Sequence, residues 1–449
     1  MTKQRGDDML RIGSGAGFSG DRLEPAVKLA EEGELDYLVL ECLAERTIAL
    51  AQKRKKADAS LGYDPLLEKR IRSLLPVLLE KKVRLITNMG AANSVGGAWK
   101  IIEIAEEMGL SVKVAAVTGD DVLPYVLSNR DSIQFSPALN ESADIVSANA
   151  YMGAASILPA IETGADIIIT GRVADPSLFL APMIHHFEWS MDDHDLLAKG
   201  TVIGHLLECG GQLTGGYFAD PGKKDVSGMA SLGFPLAEVQ PDGSALLTKL
   251  PGTGGALTLR TVKEQLLYEV MDPSAYITPD VVADFTSVQL QEDGEDRILL
   301  TGGNGRKRPD ELKVSIGFDA GYTGEGEITY AGANAVGRAE LAGAIIQERL
   351  EDEFEELKVD YIGVTSAHRG AFDHQGTPYE VRLRIAGKTY ELDKAKRIGE
   401  EVEALYTNGP AGGGGARKYV NEVVGIVSGM IPRGNVEPDF TVMEVEAND

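Results

Sequence analysis

The feature that most constrains the fold is a strand-and-loop pattern repeated between residues 9 and 180. Short apolar runs, which predict strands, alternate with longer segments whose apolar residues recur three and four positions apart, which predicts helices. A loop rich in glycine or asparagine follows most of these strands. The predicted strands are Met9–Ile12, Tyr37–Leu40, Val83–Thr87, Val112–Val117, Ile145–Ala148 and Ile167–Ile169. Strands that alternate with helices in this way indicate an α/β fold built on a parallel sheet.

The loops between these elements give a prediction for the site. In a doubly wound parallel sheet, ligands bind outside the carboxyl ends of the strands. The loops that follow the strands are therefore expected to share one rim. They comprise residues 13–21, 41–46, 88–97, 118–121 and 170–176.

The pattern changes near residue 220. Residues 225–330 contain short alternating runs between Gly, Pro and Asp turns, which favour a β-rich region. A chain of 449 residues is also too long for one ordinary core. We therefore expect two domains: a parallel-sheet, doubly wound α/β domain over residues 1–222, and a mixed α+β domain over residues 223–449.

The amino-acid composition limits which binding partners and which cellular compartment can be expected. The hydrophobic fraction of 43% is that of a soluble globular protein, and the net charge of -25 argues against nucleic acid or an anionic membrane as partner. A small anionic substrate is compatible with this charge, because a local cluster of Arg or Lys can dominate one cleft. The two cysteines, Cys42 and Cys209, form no disulfide framework, and the polar residues before Met9 lack the apolar run expected of a secretory signal. We expect a cytoplasmic protein with reduced thiols that forms a homo-oligomer.

The first glycine-rich loop has the spacing of a dinucleotide fingerprint. Gly15, Gly17 and Gly20 follow a strand, and Glu41 ends the next one. Backbone N–H groups there suit a pyrophosphate, and a carboxylate suits a ribose. Pro25 opposes this interpretation, because proline favours the first turn of a helix and so places the helix start after Gly20. Nicotinamide binding, a general anion-binding loop and a purely structural turn all remain open.

Two further loops supply candidate binding residues. Asn88 and Asn93 follow the third strand, where they either hold a carboxylate or carbonyl group of the substrate or cap a helix. Arg172 follows the very apolar Ile167–Ile169 strand and suits a carboxylate or phosphate clamp. Asp175 is a second binding candidate, and the alternative for this pair is a salt bridge between the two residues.

The stretch Gly204–Asp220 combines titratable residues with five glycines. A helix predicted to end near Cys209 places His205 and Glu208 on adjacent faces as acid–base candidates. Cys209 is a candidate nucleophile, but the C-terminal end of a helix raises a thiol pKa rather than lowering it. We expect this stretch to form a glycine-rich wall that closes the rim of strand-end loops.

Other motifs carry weaker predictions. The histidines His185, His186 and His194 lack the spacing of a metal site, and no metal is predicted. Carboxylates such as Asp120 remain open as ligands of a divalent ion. Residues 409–418 form a second glycine-rich loop, predicted to precede a helix and to suit either an anion or a tight turn.

Together, five of these stretches resemble the acyclic terpene utilisation AtuA family. They are Gly13–Arg22, Tyr37–Glu45, Asn88–Asn93, Thr170–Asp175 and Gly204–Asp220. The resemblance covers most of the chain through about residue 360. It implies a place in catabolic clusters beside acyl-CoA enzymes that act on branched or terpenoid acids, and a small ferredoxin-like partner domain, of which this chain is expected to contain little. It transfers no catalytic residue and leaves the cofactor unknown.

The leading hypothesis is an enzyme that acts on a carboxylate or acyl-CoA-type metabolite in a hydratase or lyase step. Arg172 would clamp the anionic group, Glu41, Asn88 and Asn93 would position the substrate, and Glu208 or His205 would move the proton. The alternatives are a nicotinamide-dependent oxidoreductase and a non-catalytic subunit that binds an acyl metabolite.

Overall fold

The structure is a computed structural model that describes residues 9–140, 142–354, 356–368 and 376–447. In this part of the chain the helices are α1 (Glu24–Glu32), α2 (Glu45–Ala57), α3 (Leu67–Lys81), α4 (Ser94–Met108), α5 (Leu123–Ser128), α6 (Leu158–Glu162), α7 (Ser177–Phe187), α8 (His194–Glu208), α9 (Leu259–Leu267), α10 (Ala335–Leu350) and α11 (Leu392–Asn408). The strands are β1 (Leu10–Ala16), β2 (Tyr37–Leu40), β3 (Arg84–Thr87), β4 (Val112–Thr118), β5 (Ile145–Ala150), β6 (Ile167–Thr170), β7 (Pro235–Val239), β8 (Ala245–Lys249), β9 (Tyr276–Ile277), β10 (Val282–Asp284), β11 (Gln289–Glu292), β12 (Arg297–Thr301), β13 (Asn304–Arg306), β14 (Glu311–Ala331), β15 (Leu357–Ile362), β16 (Glu380–Thr389), β17 (Gly414–Pro432) and β18 (Asp439–Val445). None of the helices described is long and apolar enough to cross a membrane.

A large mixed sheet organises the first part of the fold. Its strand order is β11-β12-β8-β7-β1-β2-β3-β6-β4-β18. The five central strands, from β1 to β4 in this order, pair in parallel, and the flanking pairs are antiparallel. The α/β class is thus confirmed, but the sheet is mixed, and the doubly wound arrangement stays a prediction.

The central strands are apolar because both of their faces are buried. Every residue of β2 and β6 is buried, so continuous runs replace the alternation of a half-exposed strand. Leu38 and Leu40 of β2 belong to a core that also contains residues from α1, α3 and α4. This packing fixes the strand ends, and with them the loops that carry the candidate site residues.

Two predicted elements differ from the structure. The Ile145–Ala148 strand exists as β5, but it pairs with β14 rather than with the parallel sheet. The segment after the second glycine-rich loop, predicted to be a helix, is strand β17. That segment is rich in Val and Ile, whose branched side chains suit a pleated strand, and it offers no helix N-terminus for an anion.

The chain divides into two compact units. The first comprises Met1–Asn140, Ile145–Gly317 and Ile426–Asp449, and the second comprises Glu141–Asp144 and Phe318–Gly425. This division differs from the predicted boundary at residue 222, because β7 and β8 join the large sheet beside β1.

The second unit contains a βαββαβ sequence of elements. It runs β14, α10, β15, β16, α11 and β17, with strand order β15-β16-β14-β17. β16 pairs antiparallel with both β14 and β15. This is the ferredoxin-like topology, and it lies within the family-like part of this chain; a separate small ferredoxin-like partner domain stays a prediction.

Candidate active site

A cavity of about 1110 Å³ lies in the first unit, at the carboxyl ends of β1, β2 and β6. Residues that follow these strands form one part of its wall, the end of α8 forms another, and later segments complete it. The wall includes Gly17, Glu41, Glu45, Tyr151, Arg172, Asp175, Glu208, Cys209, Gln212, Tyr276 and Lys313. The location matches the rim at which α/β sheets bind their ligands.

The structure brings only some of the sequence-predicted site residues to this wall. Those that line the cavity are Gly17, Glu41, Arg172, Asp175, Glu208 and Cys209. Those that lie outside the cavity lining are Gly15, Gly20, Asn88, Asn93 and His205. The loops after β3 and β4 contribute no residue to the cavity lining.

An acid–base pair lies in the last turn of α8. Nδ1 of His205 is 2.9 Å from Oε1 of Glu208, a contact that the i,i+3 spacing permits. The His205 side chain is buried, whereas Glu208 keeps 12% of its side chain exposed and lines the cavity. Glu208 is thus the member of the pair that a substrate can reach.

The partners of His205 define how this pair shares its protons. Nε2 of His205 is 3.1 Å from the carbonyl oxygen of Gln265, in α9. A carbonyl oxygen only accepts, so Nε2 carries a hydrogen. Burial lowers the pKa of His205 to about 4, so the ring is neutral at pH 7 and Nδ1 has no hydrogen. The hydrogen between Nδ1 and Glu208 then belongs to a protonated carboxyl group.

The surroundings of Glu208 favour that protonated form. Burial, and after it the negative charge of Asp175, raises the pKa of Glu208 well above its ordinary value. Oε2 of Glu208 is buried and has no hydrogen-bond partner within the described structure. A carboxyl group whose pKa is raised in this way suits proton donation to a bound substrate.

Arg172 is held by its own surroundings. Its Nε donates to the Val173 carbonyl oxygen at 2.8 Å, Nη1 donates to the Leu43 carbonyl oxygen, and Nη2 donates to both Val173 and the Asp175 carboxylate. The guanidinium carbon also lies 4.6 Å from the ring centroid of Tyr151. Four of the five N–H groups of this arginine are thereby used, which favours the salt-bridge alternative over a substrate clamp.

The Glu41 side chain is also held by hydrogen bonds within the protein. Its Oε1 accepts hydrogen bonds from the Asn88 side chain at 2.8 Å and from the Leu43 backbone at 2.9 Å. Burial raises the pKa of Glu41 well above its ordinary value. Asn88 also accepts a hydrogen bond from the backbone of Cys42. Asn88 therefore positions the end of β2.

Asn93 and the glycines of the first loop have local structural roles. Asn93 caps α4 by accepting a hydrogen bond from the Gly96 backbone at 3.0 Å. A Cβ atom on Gly15 would meet Leu40, and one on Gly20 would meet Phe18. A Cβ atom on Gly17 would lie 2.3 Å from the backbone of Cys209, so the close approach at Gly17 is to protein.

Cys209 lines the cavity as the C-cap residue of α8. Burial raises the pKa of its thiol above the ordinary value. The pKa is thus raised, as expected for a thiol at the C-terminal end of a helix, and burial is its largest cause. A protonated thiol is a poor nucleophile.

Two residues of the cavity wall, Tyr276 and Lys313, and one residue outside its lining, Gln265, carried no local signal in the sequence. Gln265 reaches His205 across 60 residues of chain, and Lys313 reaches Glu45 across 268. The Tyr276 ring packs against His205 with 5.2 Å between ring centroids. Glu45, by contrast, lies in the 41–46 loop, one of the strand-end loops predicted to form the rim.

Metal-ligand geometry is absent from the described residues: they hold no group of three or more His, Cys, Asp or Glu side chains that could bind a metal ion. His185 and His186 end α7, and His194 begins α8. Oδ2 of Asp120 accepts hydrogen bonds from the backbone of Arg172 at 2.9 Å and from the Asn149 side chain at 2.8 Å.

Comparison with protein families assigns the chain. The model for the acyclic terpene utilisation family protein AtuA matches residues 10–442. The chain belongs to the AtuA family. Its match spans both compact units, and membership links the chain to acyclic terpene utilisation. Neither a comparison with curated proteins nor one with solved structures gave a match.

Proposed function

We propose that this AtuA-family chain is a catabolic enzyme that acts by acid–base catalysis on a carboxylate or acyl-CoA-type derivative of an acyclic terpene. A hydratase or lyase step fits the site best. The observation that carries the proposal is the 2.9 Å contact between buried His205 and Glu208, a residue that lines a large cavity and whose buried Oε2 has no hydrogen-bond partner within the described structure. Family membership supports the substrate class.

Glu208 suits the loss or addition of water. In dehydration, Glu208 donates its proton to the departing hydroxyl group, and a base takes the proton from the neighbouring carbon. Asp175 is the candidate base, because it lines the same cavity and its charge acts on Glu208. In the reverse hydration each group exchanges its role, so that the Glu208 carboxylate accepts a proton from the attacking water.

The geometry gives less support to a nicotinamide-dependent reaction. Helix α1 begins only at Glu24, with Pro25 in its first turn, so Gly20 lies outside the helix that would hold a pyrophosphate. The backbone of Cys209 occupies the space beside Gly17. The oxygen Oε1 of Glu41 already accepts two hydrogen bonds instead of being free for a ribose.

The decisive variant is Glu208→Gln. The amide can still donate a hydrogen bond to Nδ1 of His205, so the fold should keep its stability, but it cannot release a proton. We expect the turnover of branched C10 hydroxyacyl or enoyl acids, or of their CoA thioesters, to fall by about 10²–10⁴-fold. Glu292→Gln, at an exposed glutamate outside the cavity lining, is the matched control and should stay within a few-fold of the wild type.

Two results would contradict the proposal in different ways. Full turnover by Glu208→Gln would remove the acid role of Glu208. Tight binding by the wild type without turnover, also in the presence of acyl-CoA pathway enzymes, would favour the non-catalytic metabolite-binding subunit.

A further inference from the structure

The cavity wall contains three cationic side chains within the described residues: Arg22, Arg172 and Lys313. Arg172 has one N–H group left after its contacts with the protein. Nη1 of Arg22 donates to the carbonyl oxygens of Met229 and Ala230, at 3.2 and 3.0 Å. These bonds connect the chain around residue 230 to the end of the first glycine-rich loop. The ammonium group of Lys313 makes a single described hydrogen bond with its three donors, and its partner Glu45 is shared with the Tyr151 hydroxyl.

Lys313 lies on a polar part of the wall with Glu45 and Tyr151. Its Nζ is 3.1 Å from Oε1 of Glu45, and the same oxygen accepts a 2.6 Å hydrogen bond from the Tyr151 hydroxyl. Burial alone would raise the pKa of Glu45, but the hydrogen bond from Tyr151 and the charge of Lys313 lower it to about 2. Glu45 is therefore ionised and orients the ammonium group.

The Lys313–Glu45 ion pair is exchangeable. The two side chains are 45% and 37% exposed, and pairs of that kind contribute little to stability. An anionic ligand group can therefore take up the remaining donors of Lys313 at small cost to the fold. Glu45, Tyr151 and Lys313 together form a prepared site for such a group.

We propose that Lys313 binds the anionic end of the substrate while Glu208 faces the reacting bond. A chain of contacts leads from Lys313 over the Tyr151 ring, 4.7 Å from Nζ to the ring centroid, to Arg172 and on to Asp175. Asp175 in turn acts on Glu208. The proposal rests on the acid role of Glu208 and adds that the substrate carries an anionic group, held by Lys313, besides the bond on which Glu208 acts.

The test compares an acid with its uncharged analogue. Binding of geranic acid and of geraniol is measured by calorimetry on the wild type, Lys313→Met, Lys313→Arg and the control Lys307→Met. Lys307 is an exposed lysine that contacts Asp310 and lies outside the cavity lining. We expect Lys313→Met to weaken binding of the acid about tenfold or more and to leave binding of the alcohol unchanged. Lys313→Arg should restore most of the affinity, and Lys307→Met should resemble the wild type.

Three results would overturn the assignment: unchanged acid binding by Lys313→Met, equal loss of acid and alcohol, or equal affinity of the wild type for both ligands. The last comparison needs no variant, so a folding defect in Lys313→Met leaves the proposal testable. Turnover by Glu208→Gln at the wild-type rate would instead refute the proposed acid role. If the wild type binds no acid yet Glu208→Gln alone loses turnover, Lys313 is excluded and the acid role stands.

Discussion

At the scale of single residues, the site depends on one carbonyl group. The Gln265 carbonyl oxygen accepts from Nε2 of His205 and thereby selects the tautomer whose Nδ1 faces Glu208 without a hydrogen. Because burial lowers the pKa of His205 and raises that of Glu208, a contact between two neutral groups is favoured over an ion pair. This arrangement lets a buried carboxyl group hold a proton without a compensating charge.

Another buried acid, Asp120, gives a prediction for stability against pH. Burial raises the pKa of Asp120 from its ordinary value of 3.8 to about 6. A carboxyl group with a raised folded-state pKa contributes stability below its unfolded pKa, and this contribution is lost as pH rises through the folded pKa. The stability of the wild type relative to Asp120→Asn should therefore fall by roughly 2 kcal/mol between about pH 4.5 and 7.5.

Denaturant unfolding of both proteins across this pH range measures the difference. The asparagine side chain cannot ionise, but its oxygen can still accept the hydrogen bond from the backbone of Arg172. A stability difference that stays constant with pH, or that grows in favour of the wild type as pH rises, would contradict the assignment.

The residues that follow the strands could be predicted from the sequence, but their hydrogen-bond partners could not. Glu41, Arg172 and Asp175 were identifiable because strand ends meet at one rim. Whether Arg172 is free or paired could not be predicted, since the Leu43 carbonyl that it contacts is 129 residues away. Lys313 and Gln265 lie in segments without any local motif.

At the scale of elements, the end of β1 packs directly on the end of α8. Gly17 permits this approach, because a side chain there would enter the backbone of Cys209. We expect Gly17→Ala to destabilise the protein by roughly 1–3 kcal/mol, the usual cost of overpacking, and to reduce turnover by displacing Glu208.

Gly434→Ala is the matched control, because Gly434 is exposed and a Cβ atom there meets no atom within 4 Å. Thermal unfolding of both variants distinguishes steric exclusion from a general effect of alanine. Equal melting temperatures for the two variants would show that β1 and α8 do not need this contact.

Elements were predictable where one physical signal dominated. The apolar runs of β2 and β6 and the three-and-four spacing of α3 place these elements within a few residues of their observed bounds. Strand β17 was mistaken for a helix, because its tertiary pairing overrides a weak periodic pattern.

At the scale of the whole molecule, distant segments complete the sheet. β18 pairs with β4 over Asp439–Val445, and β7 pairs with β1, so both flanks of the parallel centre come from later parts of the chain. Pairings between strands that are so far apart in the chain cannot be recognised from local sequence patterns. For that reason the α/β class was predictable, whereas the mixed sheet and the two discontinuous compact units were not.

The protonation of Glu208 is the central claim, and difference infrared spectroscopy tests it directly. Spectra of the wild type and Glu208→Gln at pH 7 are subtracted, so that other buried carboxyl groups such as Glu41 cancel. We predict a carbonyl-stretching band of a protonated carboxylic acid in the wild type that the variant lacks. Loss of carboxylate bands instead would show that Glu208 is ionised and would contradict the account.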